Sequence, residues 1–140
     1  MTETKDEQMQ QKYFEMQMLA QQANQLKKQM QLIDNQMQEI SSAMEGIDSL
    51  NESKESEILV PIHSGVFIKA EIKEKGKCIV SVGSDIAVPK TFDETKNILE
   101  NNILEIGKYK DQMMEILEKC SLRQEEIEQE IVSLQNEQDV

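Results

Sequence analysis

His63 is the only histidine in this chain, and one imidazole completes neither a histidine metal site nor a catalytic triad. It sits in His63-Ser64-Gly65 between two apolar runs, where a polar turn residue is expected. The two cysteines, Cys78 and Cys120, lie in different segments without metal-ligand spacing. They read as small buried apolar residues of a reducing compartment. Gly107-Lys108 lacks the preceding Gly and the following Ser/Thr of a phosphate loop, and Gly76-Lys77-Cys78 fails in the same way. Carboxylates are plentiful but dispersed, with no pocket to perturb them. The side chains therefore point away from catalysis, and no cofactor or metal is expected.

The chemistry that remains is contact chemistry. Met9, Tyr13, Phe14, Met16, Met18 and Leu19 crowd the start of the chain in a band too wide for a two-helix seam. Methionine suits variable apolar partners, because its thioether is flexible and polarisable.

These residues need an element to hold them, and the composition limits what that can be. Aromatics make up 4% of the 140 residues and Trp is absent, so large side chains to fill a compact core are scarce. A narrow apolar stripe on long helices is within reach. The formal charge of −12 divides as −4 over residues 1–50, zero over 51–90 and −8 over 91–140. Such a chain repels nucleic acid and anionic membrane surfaces, which attract clustered Lys and Arg. The start, Met-Thr-Glu-Thr-Lys-Asp-Glu, is followed by no apolar run of a signal peptide, and no stretch approaches a membrane span. A cytosolic location is expected.

In the first segment, Met16, Leu19, Ala23, Leu26, Met30, Ile33, Met37, Ile40, Met44 and Ile47 recur in alternating steps of three and four. That is a coiled-coil seam, and it predicts helix 1 over about residues 5–50. In the last segment Ile106, Met113, Cys120, Ile127 and Leu134 recur every seven residues. Their flank is either Leu99, Tyr109 and Ile116 or Ile103, Leu117 and Ile131, and the pattern leaves both open. Thr91 or Asp93 can cap this helix, expected over about residues 92–137. The two helices pair antiparallel, with opposed residue numbers summing to about 143.

Between them, over 58–89, the period changes to two. Ile58-Leu59-Val60-Pro61-Ile62, Val66 to Ile72, Cys78 to Val82 and Asp85 to Val88 predict four short strands in two β-hairpins. Four such strands leave open edges, which closure into an intersubunit β-barrel would satisfy. Ile58, Val60, Val66, Ile68, Ile72, Ile79, Val82, Ile86 and Val88 are the expected oligomerisation residues.

This arrangement resembles the α class of the prefoldin family across nearly the whole chain, taken as a single domain over 1–140. The likeness is carried by Ile58-Leu59-Val60-Pro61-Ile62, Gly65-Val66-Phe67-Ile68-Lys69-Ala70, Val82-Gly83-Ser84-Asp85-Ile86-Ala87-Val88 and Lys90-Thr91-Phe92. Two hairpins, rather than one, match the α class. The resemblance implies an archaeal-type chaperone that holds unfolded proteins without ATP, built as a hexamer of two α and four β-class subunits. It implies capture of unfolded clients at the coiled-coil tips and delivery to a group II chaperonin. Met9, Tyr13, Phe14, Met16 and Leu19 are the expected client residues, with Ile127, Ile131 and Leu134 opposite them. Arg123 or Gln124, together with Glu130, interrupts the seam there, so the tip is expected to loosen. The acidic run Glu125-Glu126-Glu128-Glu130 is either a chaperonin contact or a solvated face. The competing reading is a structural coiled-coil tether, which explains the heptads but gives the β segment no role.

Overall fold

A computed structural model describes residues 4–138 of the chain. The elements follow as helix α1 (Lys5–Glu52), strands β1 (Glu57–His63), β2 (Val66–Glu71), β3 (Lys77–Gly83) and β4 (Ile86–Thr91), and helix α2 (Phe92–Gln138). Met1, Thr2 and Glu3, the start of the stretch read as free of a leader, lie outside the described residues. Among the described residues, no helix is long and apolar enough to cross a membrane.

Both helices begin where the sequence offers a capping hydroxyl. Thr4 Oγ1 accepts the Glu7 N–H at 3.3 Å, and Thr91 Oγ1 accepts the Glu94 N–H at 3.1 Å. Each satisfies one of the N–H groups that a helix start leaves unpaired. Of the two candidates for the second cap, Thr91 is the one used. The Thr95 hydroxyl donates back to the Thr91 carbonyl at 2.8 Å.

The chain divides into two compact units. One holds α1 up to Asn35 and α2 from Ile106; the other runs from Gln36 to Glu105 and carries the hairpins.

In the first unit the helices are antiparallel. Lys5 pairs with Glu137, Lys12 with Glu130, Glu15 with Arg123 and Asp34 with Lys110. These pairs fall within a few residues of the expected register. Met16, Leu19, Ala23, Leu26, Met30 and Ile33 are half-buried, as the heptads require. On α2, Ile106, Met113 and Leu134 are half-buried, and Cys120 and Ile127 are buried. Leu117 and Ile131 join them, whereas Tyr109 and Ile116 are exposed, so in this unit the second flank lines the seam. Towards the tip Arg123 and Glu130 are half-buried as well. A seam repeating every 3.5 residues on a helix of 3.6 drifts in that way.

In the second unit Ile47, Phe92 and Thr95 are the buried side chains, and the Lys96 ammonium donates to Asp48 at 2.7 Å. Met37, Ile40, Met44, Leu99 and Ile103 are half-buried. The strands form two separate two-stranded antiparallel sheets, β1 with β2 and β3 with β4. The fold is thus two long helices joined by two hairpins, as expected. Closure into a barrel requires strands beyond this one chain.

Candidate functional site

The residues expected to meet clients and those expected to join subunits fall in separate units.

The hairpins share one backbone plan. In the first, Ile58 pairs with Ala70, Val60 with Ile68 and Pro61 with Phe67, and the register slips between Pro61 and His63. In the second, Cys78 pairs with Lys90, Val80 with Val88 and Ser81 with Ala87, and the slip lies between Ser81 and Gly83. Each position of the second hairpin is the first displaced by 20 residues, including its bulge. The turns differ. Gly65 takes φ +79° in the first, whereas Ser84 and Asp85 take φ +51° and +60° in the second. Two successive positive φ values give the twist that a two-residue hairpin loop needs, and short polar residues tolerate it.

The hairpins bury little of their apolar surface. Of the expected oligomerisation residues, Val60, Val66, Ile68, Ile79, Val82 and Ile86 are exposed; Ile58, Ile72 and Val88 are half-buried. Ile79 reaches 79% exposure. Leu59, Ile62 and Phe67 are exposed too and escaped the sequence reading. Leu59 and Phe67 occupy the alternate face of their strands, and the β-bulge carries Ile62 out of phase. Apolar residues on both faces of β1 were the available signal.

The tip of the helix pair behaves differently. Tyr13 and Phe14 are 52% and 64% exposed, and Met18 beside them is exposed as well. Met9, Met16 and Leu19 are half-buried against the seam. On α2, Ile127 is fully enclosed, Ile131 is buried and Leu134 half-buried. The expected client list therefore splits into an outward set on α1 and an enclosed set on α2.

The seam at the tip is closed in this structure, and ion pairs bridge the polar residues expected to loosen it. Arg123 donates through Nε and Nη2 to the two carboxylate oxygens of Glu15, at 2.8 and 3.2 Å, and through Nη1 to Glu126 at 3.0 Å. Glu130 accepts from Lys12 and lies 3.5 Å from Arg123. The hydrogen bond from Arg123 holds the Glu15 carboxyl below the usual carboxylate range, against the desolvation that would raise it. The bond from Lys12 does the same for Glu130. A polar residue weakens a seam when it lacks a partner; here α1 supplies both. The antiparallel register, which brings Lys12 and Glu15 near 130 and 123, was the signal that would have found them.

Neither set forms a catalytic pocket, and among the described residues no group of His, Cys, Asp or Glu could hold a metal ion. What the arrangement offers is apolar contact surface and unpaired strand edges.

The sequence model of the prefoldin subunit family matches residues 19–137. A prefoldin subunit alpha from Thermofilum pendens is 39% identical over 75 residues, 54% of this chain and 58% of that protein. One from Pyrococcus horikoshii is 46% identical over 54 residues, 39% of this chain and 36% of that protein. The matched segments thus span less than two thirds of these relatives. A cryo-EM structure of filamentous PFD from Methanocaldococcus jannaschii shares the fold, with a TM-score of 0.74 at 18% identity, covering 84% of this chain and 98% of that one.

Proposed function

This chain belongs to the prefoldin family, in its archaeal α type, and from that premise we propose that it is a chaperone subunit that holds unfolded proteins without nucleotide. It assembles through its hairpins with β-class subunits, as two α and four β chains around closed β-barrels. The assembly delivers its clients to a group II chaperonin in the cytoplasm. Prefoldins are a family of chaperones rather than of enzymes.

One observation carries the reading: both hairpins expose apolar side chains and free strand edges, which a single chain cannot satisfy. A tether with the same heptads has no use for them. Tyr13, Phe14 and Met18 are the primary client contacts, since they are apolar and outward, with Phe14 and Met18 one turn apart on the helix. Met9, Met16 and Leu19 border that surface, and Ile127, Ile131 and Leu134 form the floor beneath it, reached by a client when the tip opens. Glu125 and Glu128 are exposed on α2 and are suited to a basic patch on the chaperonin.

The test replaces Tyr13, Phe14 and Met18 together by alanine in the assembled complex. Suppression of aggregation of a chemically denatured client should fall several-fold while the native mass of the complex stays the same. Undiminished suppression would remove this surface from the mechanism.

A further inference from the structure

Away from the tip, the unit formed by the helix ends carries an apolar groove that its own seam does not fill. Met30 of α1 and Met114 and Leu117 of α2 supply the apolar lining, and Ser121, one turn beyond Leu117, adds only a small side chain. Met30 and Leu117 are half-buried, whereas Met114 is 51% exposed. Met114 precedes Leu117 by one turn and shares its side of α2 without belonging to the seam. The groove is open to solvent, with a volume of about 570 Å³. A small molecule is held where most of its surface is enclosed, which this groove does not offer. An elongated partner lying along the helices can cover it.

The chemistry of that partner is set by charge. Asp111, Glu115 and Glu118 also line the groove, and their spacing of i, i+4 and i+7 makes them one row along α2 beside Met114. All three are exposed. Among the described residues none of the three forms an ion pair, whereas Glu15, Asp34 and Glu130 of the same unit all do. Lys110, next to Asp111 in the chain, is engaged by Asp34 at 2.6 Å. Three uncompensated carboxylates beside an apolar strip complement a partner that is apolar and basic at once, and they repel nucleic acid and anionic lipid.

The walls also select the partner's backbone. Both are helices, whose main-chain groups are bonded within α1 and α2, so an extended segment finds no ladder partner here. A helix brings its own bonds and presents side chains at the spacing of the acidic row. A second copy of this chain does not supply one, because neither of its helices carries three Lys or Arg residues at that spacing.

We infer that this groove docks a basic amphipathic helix of a partner protein, with its apolar face on Met30, Met114 and Leu117 and its Lys or Arg residues against Asp111, Glu115 and Glu118. The surface is separate from the client contacts proposed at Tyr13, Phe14 and Met18, and its occupant is helical rather than unfolded.

The test uses the assembled complex and a synthetic peptide of about 18 residues, with leucines on one helix face and lysines at i, i+4 and i+7 beside them. Fluorescence anisotropy should show saturable binding, and circular dichroism a gain of helix. Met114→Gln and, separately, Glu115→Gln with Glu118→Gln should each weaken binding about tenfold. These variants exchange exposed side chains for a good helix former, so the arm keeps its fold. Glu125→Gln with Glu128→Gln, an equal loss of charge elsewhere on α2, should change binding by less than about twofold. No saturable binding, or binding that the groove variants leave unchanged, overturns the inference. An equal loss in the Glu125 and Glu128 variant does so too, because the attraction is then diffuse. So does a loss on replacing Tyr13, Phe14 and Met18 by alanine, which would place the peptide on the client surface. A complex whose native mass falls with Met114→Gln gives the groove to another subunit and overturns it as well.

Discussion

Ile127 and Ile79 are the same residue in opposite circumstances. Ile127, in the unit formed by the helix ends, is 0% exposed; Ile79, on β3 of the other unit, is 79% exposed. Around Ile127 one chain supplies everything a buried seam needs: an apolar floor and charge partners for the polar residues that interrupt it. Around Ile79 the backbone is well ordered into a hairpin, yet the side chains and the outer ladder have nothing to meet. A hairpin of this kind is marginal in water by itself. The difference teaches where to look for stability and where to look for partners: the helix ends are complete within one chain, whereas the hairpins leave apolar side chains and strand edges uncovered by it.

The sharpest way to break this comparison is to truncate both isoleucines. Ile127→Ala removes a fully enclosed side chain and should cost about 2–5 kcal/mol of helix-pair stability in urea unfolding. Ile79→Ala should change the unfolding of the isolated chain by no more than about 0.5 kcal/mol. In the complex the order reverses in kind, because Ile79→Ala should weaken subunit association as measured by native mass. Equal costs in the isolated chain would mean that Ile79 is already covered, and the hairpins would lose their claim to be an open interface.

Much of this contrast was legible in the sequence. The heptad positions from Met16 to Ile47 are all half-buried or buried, because a seam needs only local spacing to be recognised. The alternation of β1 to β4 was equally plain. The flank of α2 was not, since apolar residues occur on both sides of its seam. Only the approach of α1 separates Leu117 and Ile131 from Tyr109 and Ile116. The pairing of Arg123 with Glu15 was hidden for a related reason. A charge at a seam position reads as a defect until the residue opposite is known.

A smaller effect separates the helix starts of the two units. Thr91 caps α2 beside the buried Phe92 and Thr95, and its carbonyl also accepts the Thr95 hydroxyl. Thr4 caps α1 at an exposed terminus, with the longer bond. Thr91→Ala should cost about 1 kcal/mol, the usual loss of a capping hydroxyl, and Thr4→Ala distinctly less. Thermal unfolding of the two variants measures this. Equal losses would show that the first turn of α1 is held as firmly as the junction between strand β4 and α2.

The smallest effect is also the most selective, because the ion pairs of the two units should respond to opposite ends of the pH scale. Glu15 and Glu130 are held below the usual carboxylate range by Arg123 and Lys12. A depressed carboxyl contributes stability above its unfolded pKa, about 4.3 for glutamate, and loses it as pH falls through the lower folded value. Lys96 is raised above its usual value by its hydrogen bond to Asp48. Its contribution is complete below the unfolded value of about 10.4 and is lost as pH rises through the higher folded one. These groups are partly exposed, so both limbs should be shallow and should fade with added salt. Carboxyl NMR titration of Glu15 reads the acid limb directly. Arg123→Gln should move that titration up towards the ordinary range, whereas Lys96→Met should leave it in place and remove the alkaline limb from thermal melts. If Arg123→Gln does not move Glu15, the pair is absent in solution and the apolar seam around Ile127 closes the tip alone. The tip would then be free to open at a far lower cost than its ion pairs suggest, which is the state in which Ile127 and Ile131 could meet a client.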